Sequence, residues 1–155
     1  MKAIGAVIAA ALILAQPSYG ETTNSLDNAL DAAYCVGVLN TVIAASTKPL
    51  SCKQVSAEEC RSGQHFMAHM QASYQERKER FQGYVHQVMQ TPEYQNIAPA
   101  IQVSIKRGEA DAVSCAKSPV LKECFGDPDN FFTCTGKAPV CARRNHCFQD
   151  DNLPF

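Results

Sequence analysis

His65 and His69 stand four residues apart. On a helix that spacing puts both imidazoles on one face, which is how helices present ligands to zinc or copper. Glu76 falls within about 20° of His65 around the same axis, so three donors of metal-binding type share one stripe. Against a joint site, Glu76 lies two turns past His69, about 10 Å along the axis. The stripe also carries Ala72, Arg80 and Gly83, as a solvated face does. The metalloprotease pattern His-Glu-x-x-His is missing, because Phe66 follows His65. Met67, Met70 and Met89 are close to an apolar stripe and read as core filling rather than as a copper cluster. Asp127-Pro128-Asp129-Asn130 gathers oxygen donors suited to calcium. The central Gly and the twelfth-position Glu of a calcium loop are absent, so a turn is the simpler reading. Arg143-Arg144, beside His146, forms a small basic knot able to meet a carboxylate or phosphate on a partner.

Eight cysteines carry the next layer of chemistry: Cys35, Cys52, Cys60, Cys115, Cys124, Cys134, Cys141 and Cys147. An even number in an exported chain predicts disulfides. Local closure favours Cys52 with Cys60 and Cys141 with Cys147. Cys35 has no near neighbour and must reach across the fold, with Cys115 as the expected partner. Zinc is the rival reading in the tail, where Cys134, Cys141, Cys147 and His146 supply both ligand types. The paired Cys-x2–4-Cys spacing of zinc ribbons is missing. No Cys-x-x-Cys occurs, so a thioredoxin-like redox motif is missing too. No Gly-x-Ser-x-Gly elbow, P-loop or dinucleotide fingerprint is present. With every thiol bridged, no cysteine nucleophile remains; the sequence leans away from an enzyme without deciding the matter.

Those cysteines make sense in an oxidising compartment, and the N-terminus supplies the address. Lys2 is followed by thirteen uncharged residues, Ala3 to Ala15, then Gln16-Pro17 and the small-residue site Ser18-Tyr19-Gly20. This is the layout of a secretory signal peptide over residues 1–20. The apolar run is shorter than the roughly 20 residues a spanning helix needs, and no span is expected once it is removed. The expected destination is a periplasm or the extracellular space. The chain of 155 residues is 46% apolar and 19% charged, with a formal charge of −1. That composition is globular, and the balance offers no basic surface for nucleic acid.

Helices must position these groups. Leu26 to Ala45 predicts a first helix, amphipathic early and apolar nearly all round later, hence central and buried. Gly37 on it permits close approach of a neighbour. Ser56-Ala57-Glu58-Glu59 is a capping box opening a second helix that runs to Gln90, with a possible break at Ser62-Gly63. Phe66, Met67, Met70, Tyr74, Phe81, Tyr84, Val85 and Val88 form its apolar stripe. Thr91-Pro92-Glu93 restarts helix; Pro99 predicts a kink or a split and Gly108 a stop before a separate short helix, Glu109 to Lys117. Pro119 to Phe125 allows another turn or two. From Gly126 the apolar period vanishes, which predicts an irregular cystine-tied tail over 126–155, with a small hairpin at Phe131 to Val140.

The expected fold is therefore all-α: about four helices around a central apolar helix, forming one domain over 21–155 with an irregular disulfide-rich C-terminal segment. Tyr34-Cys35-Val36-Gly37 resembles a turn of small cysteine-bearing helical proteins of the bacterial periplasm, some secretion-system immunity proteins among them; one helix turn carries over no function. The leading functional expectation is an exported, non-catalytic binding module with a protein partner. The alternatives are a metal-binding protein using His65 and His69 on zinc or copper, and a small hydrolase.

Overall fold

A computed structural model describes residues 19–48, 51–124 and 130–149. Among them there is no strand, and the architecture is all-α. The apolar leader segment and the Asp127-Pro128-Asp129 turn lie outside the described residues.

Helix α1 (Tyr19–Ser46) is the centre of the fold. Ala29, every residue from Ala32 to Leu39, and thus a full two turns of its circumference, are buried. A helix apolar on all sides can be satisfied only by neighbours on all sides. Its Ser25–Ser46 stretch has the length and hydropathy of a membrane span, and half of that window is buried inside this protein.

Helix α2 (Ala57–Met89) runs antiparallel to α1: Ser46 and Thr47 face Gln64 and Met67, while Ala33 and Val36 face Val85 and Met89. Ser56 caps it. Its hydroxyl accepts the Glu59 N–H at 3.2 Å, and its own N–H donates to the Glu59 carboxylate at 2.9 Å. The helix passes through Ser62-Gly63 unbroken. Only the later part of the expected stripe is buried, at Phe81, Val85 and Val88; Tyr74 and Tyr84 are half-buried and Phe66 is 61% exposed. The first half of α2 outreaches the elements that would cover it.

A short 3-10 turn, Pro92–Tyr94, leads to α3 (Ala98–Lys117). Pro99 splits the helical run as expected: it occupies the first turn of α3, where its missing N–H has no helical partner to lose, and so opens a new helix after the Pro92–Tyr94 turn. One expectation is corrected here. Gly108 is an interior, buried residue, and one continuous helix replaces the expected pair. The reason is tertiary. A Cβ on Gly108 would meet the Tyr34 carbonyl, and a Cβ on Gly37 would meet the Ile105 carbonyl. The two glycines let α1 and α3 touch backbone to backbone, and α3 is the helix α1 packs against most extensively.

The tail consists of α4 (Pro119–Cys124), α5 (Phe131–Thr135) and α6 (Pro139–Asn145), ending in a 3-10 turn at His146–Phe148. The hairpin expected over Phe131–Val140 does not form; α5, a turn at Gly136 and the Pro139 start of α6 take its place. Pieces of five to seven residues are too short to show a helical period, which is why the pattern faded in the sequence.

All eight cysteines are bridged: Cys35–Cys147, Cys52–Cys60, Cys115–Cys141 and Cys124–Cys134. The local Cys52–Cys60 closure is as expected. Cys141–Cys147 and Cys35–Cys115 are not. Cys141 lies in α6 and Cys147 in the 3-10 turn that follows it, so the two leave the tail on different sides. Cys141 meets Cys115 of α3, and Cys147 meets Cys35 of α1. Cys134, Cys141 and Cys147 each join a different partner, so the tail holds them apart. Four disulfides fit an exported protein.

Candidate functional site

Arg143 and Arg144 are neighbours on α6, and neighbours on a helix point about 100° apart. The two guanidiniums therefore enter different surroundings, and each defines a cleft.

Arg143 is half-exposed and its Nε donates to the Asp111 carboxylate of α3 at 3.0 Å. The Tyr34 hydroxyl donates to the same oxygen at 3.1 Å. The Arg143 hydrogen bond holds the Asp111 carboxyl below its ordinary range, aided by the Tyr34 hydrogen bond and by the charges of Arg143 and Arg107. Burial, then the Asp111 charge, pushes the Tyr34 phenol far above its ordinary range. Leu30, Asp31, Tyr34, Ser104, Arg107, Arg143 and His146 border a cleft of about 330 Å³ here. The shifts move Tyr34 and Asp111 away from neutral pH in opposite directions. The network fastens α6 to α1 and α3.

Arg144 is 9% exposed. Its Nη2 donates to the Asn145 side chain at 2.9 Å, and its guanidinium carbon sits 5.3 Å from the centre of the Phe148 ring. Its Nε has no hydrogen-bond partner. Burial pulls its pKa below the ordinary arginine value, and among the described residues no carboxylate pairs with it. Asn145 is itself held in place: its amide nitrogen donates to Thr135 at 2.8 Å and to the Phe132 carbonyl at 3.2 Å. Arg144 borders a pocket of about 150 Å³ whose other walls are Val42, Tyr74, Leu121, Phe131, Phe132 and Phe148. The rings form one continuous aromatic lining, with Tyr74 edge-on to Phe148 at 5.4 Å and Phe132 stacked on Phe148 at 6.4 Å.

No known protein family, curated protein or solved structure matches this chain.

His65 and His69 lie on the exposed face of the first half of α2, with Glu76 also exposed. Among the described residues no third histidine, cysteine or carboxylate donor gathers with them. Met89 packs on the core, whereas Met67 and Met70 are half-buried. The sequence pointed to Arg143-Arg144 but not to what surrounds them. Asp111 sits in a helix with no local sign of a partner. Phe131, Phe132 and Phe148, clustered in a tail without apolar period, were the available clue to an aromatic pocket.

Proposed function

We propose that this chain is an exported, disulfide-stabilised binding module that acts without catalysis, in a periplasm or outside the cell. We assign it a protein partner that brings a carboxylate beside an apolar side chain to the Arg144 pocket. The observation that carries the reading is the buried Arg144 guanidinium, with its unbonded Nε, in an aromatic wall. Burying an ion unpaired costs several kcal/mol, and a carboxylate can accept two parallel hydrogen bonds from a guanidinium. A volume of about 150 Å³ takes a single ring or branched side chain, of the size that an apolar cavity of that volume is known to hold. The dense bridging supports the same reading, because it holds a short-helix tail rigid enough to keep the pocket in shape.

The test is a two-dimensional NMR titration of the oxidised full chain with N-acetylphenylalanine and, separately, with its amide. The expected result is saturable shifts around Phe132, Arg144 and Phe148 for the carboxylate, with binding at least tenfold weaker for the amide and for Arg144→Gln. Equal binding of both probes, or no shifts at these residues, would overturn the assignment.

A further inference from the structure

His146 is held in one orientation by its two neighbours. Its Nδ1 donates to the Arg143 carbonyl one helical turn earlier, and its ring stacks on Tyr34 with centroids 5.7 Å apart. A proton on Nδ1 leaves the lone pair on Nε2. That nitrogen faces the Cys35–Cys147 bridge, 3.4 Å from the Cys35 sulfur and 3.8 Å from the Cys147 sulfur. Sulfurs joined in a disulfide have no proton to offer it. The imidazole thus aims an acceptor at a group that cannot donate, which is an unusual use of a half-buried histidine.

We propose that reduction of Cys35–Cys147 turns these three side chains into a binding site for one thiophilic divalent cation, zinc above all. In a tetrahedral site, zinc–sulfur bonds of about 2.3 Å and zinc–nitrogen bonds of about 2.0 Å place nitrogen and sulfur roughly 3.6 Å apart. Nε2 already sits close to that distance from both sulfurs. Only the sulfurs must move, from bonding distance to about 3.8 Å in the same geometry, by side-chain rotation once the bond is cut. The Nδ1–H to carbonyl bond is the outer-shell support that metal-binding imidazoles ordinarily have. Cys35 and Cys147 are buried, so their thiolates would be sheltered, and the fourth position would open to water from the cleft that His146 borders.

The chemistry balances with a dithiol as reductant. The dithiol loses two hydrogens and closes its own disulfide, and Cys35 and Cys147 become thiols. The cation then takes both sulfurs as thiolates, releasing two protons, and takes neutral His146 through Nε2. Zinc is not oxidised or reduced. Export delivers the chain in its disulfide form, and metal loading follows only where a dithiol reaches it. The proposal is independent of the Arg144 pocket.

Cobalt(II) is the probe, because a tetrahedral thiolate site colours it. The full chain is reduced with a dithiol, freed of excess reductant under argon, and titrated with cobalt and then zinc. The expected result is one cobalt per chain, with sulfur-to-cobalt charge-transfer and tetrahedral ligand-field bands that zinc abolishes. In His146→Ala, which leaves every cysteine in place, affinity falls at least tenfold. In the double variant Cys35→Ser/Cys147→Ser the bands disappear, although six other thiols remain. Absence of the bands in the native chain would overturn the proposal. Bands that survive in the double variant, or affinity unchanged in His146→Ala, would also overturn it, since either places the metal on other thiols. Circular dichroism of the reduced chain before metal, compared with the oxidised chain, shows whether the ligands are gathered by a folded protein; coil content together with unchanged affinity in His146→Ala counts as the negative result.

Discussion

Gly37 of α1 and Gly108 of α3 answer each other across one helix crossing. A methyl group on either would strike the main chain of the opposite helix, Ile105 in one case and Tyr34 in the other. Contact this close leaves no flexible side chain to yield, and it brings α-carbon hydrogens within reach of facing carbonyls. The crossing also sets where Tyr34 meets Asp111 and where Cys35 meets Cys147, both of which depend on α1 being this near.

Alanine at either position should therefore destabilise, against the helix-propensity gain of about 1 kcal/mol that replaces a mid-helix glycine. We expect Gly37→Ala and Gly108→Ala each to lose about 1–3 kcal/mol in denaturant unfolding. The double variant should lose less than the sum, because the first clash already separates the helices. Gly83→Ala is the control: nothing lies within 4 Å of a Cβ there, and it should gain up to about 1 kcal/mol. Equal effects at all three sites would remove the crossing from the account.

Asp111 links acid stability to the same interface. Its carboxyl is held below the ordinary range in the folded state by Arg143, Tyr34 and Arg107. Its contribution is complete above the unfolded value of about 3.9 and is lost as pH falls through the lower folded value. Asp111→Asn should lower stability at pH 7 and flatten the loss of stability between about pH 4 and more acid values. Parallel pH profiles for the two proteins would show that the carboxylate is not the group responsible.

The bridges should differ in weight. Cys35–Cys147 spans 112 residues and Cys52–Cys60 spans 8. Restricting the unfolded chain makes the first worth about 4–5 kcal/mol and the second about 2–3. Paired Cys→Ser variants compared by thermal unfolding should keep that order. A larger loss from removing Cys52–Cys60 would contradict it.

Arg144→Met separates binding from stability. Replacing a buried charge that lacks a counter-ion by an apolar side chain of similar length is commonly neutral or stabilising. We expect an unfolding midpoint equal to or above the native one, together with loss of N-acetylphenylalanine binding. A clear drop in stability would mean that the Phe148 and Asn145 contacts already satisfy the guanidinium.

Long-range periodicity made the first two helices legible before any coordinates. An apolar run such as Leu26 to Ala45 must be covered on every side, and Ser56 with Glu59 marks a helix start through side chains that are close in the chain. Gly37 could be read as a contact point because it interrupts an otherwise bulky apolar surface. Gly108 has the same role, yet Lys106-Arg107-Gly108 is also how a helix ends; only the facing carbonyl distinguishes the two. The candidate site was half visible. Arg143 and Arg144 are conspicuous in the chain, but their fates depend on Asp111, which lies on the helix that Cys115–Cys141 ties to α6, and on how Phe148, four residues past Arg144, is packed. Beyond the local Cys52–Cys60 loop, cystine pairing is decided by which helix faces which, and no spacing encodes that.

Drawn as arcs above the chain, the four bridges never cross. Cys35–Cys147 encloses the other three, and Cys115–Cys141 encloses Cys124–Cys134. The bridge pattern therefore holds no cystine knot. It carries a hazard of timing instead. A polypeptide that emerges N-terminus first shows Cys35 to Cys52 and Cys60 well before Cys147 exists, and oxidation in order of appearance would join Cys35 to Cys52. The correct outer bond must wait until nearly the whole chain is made, or be recovered by an isomerase that undoes an early mistake. Cys35–Cys147 is the last clasp to close.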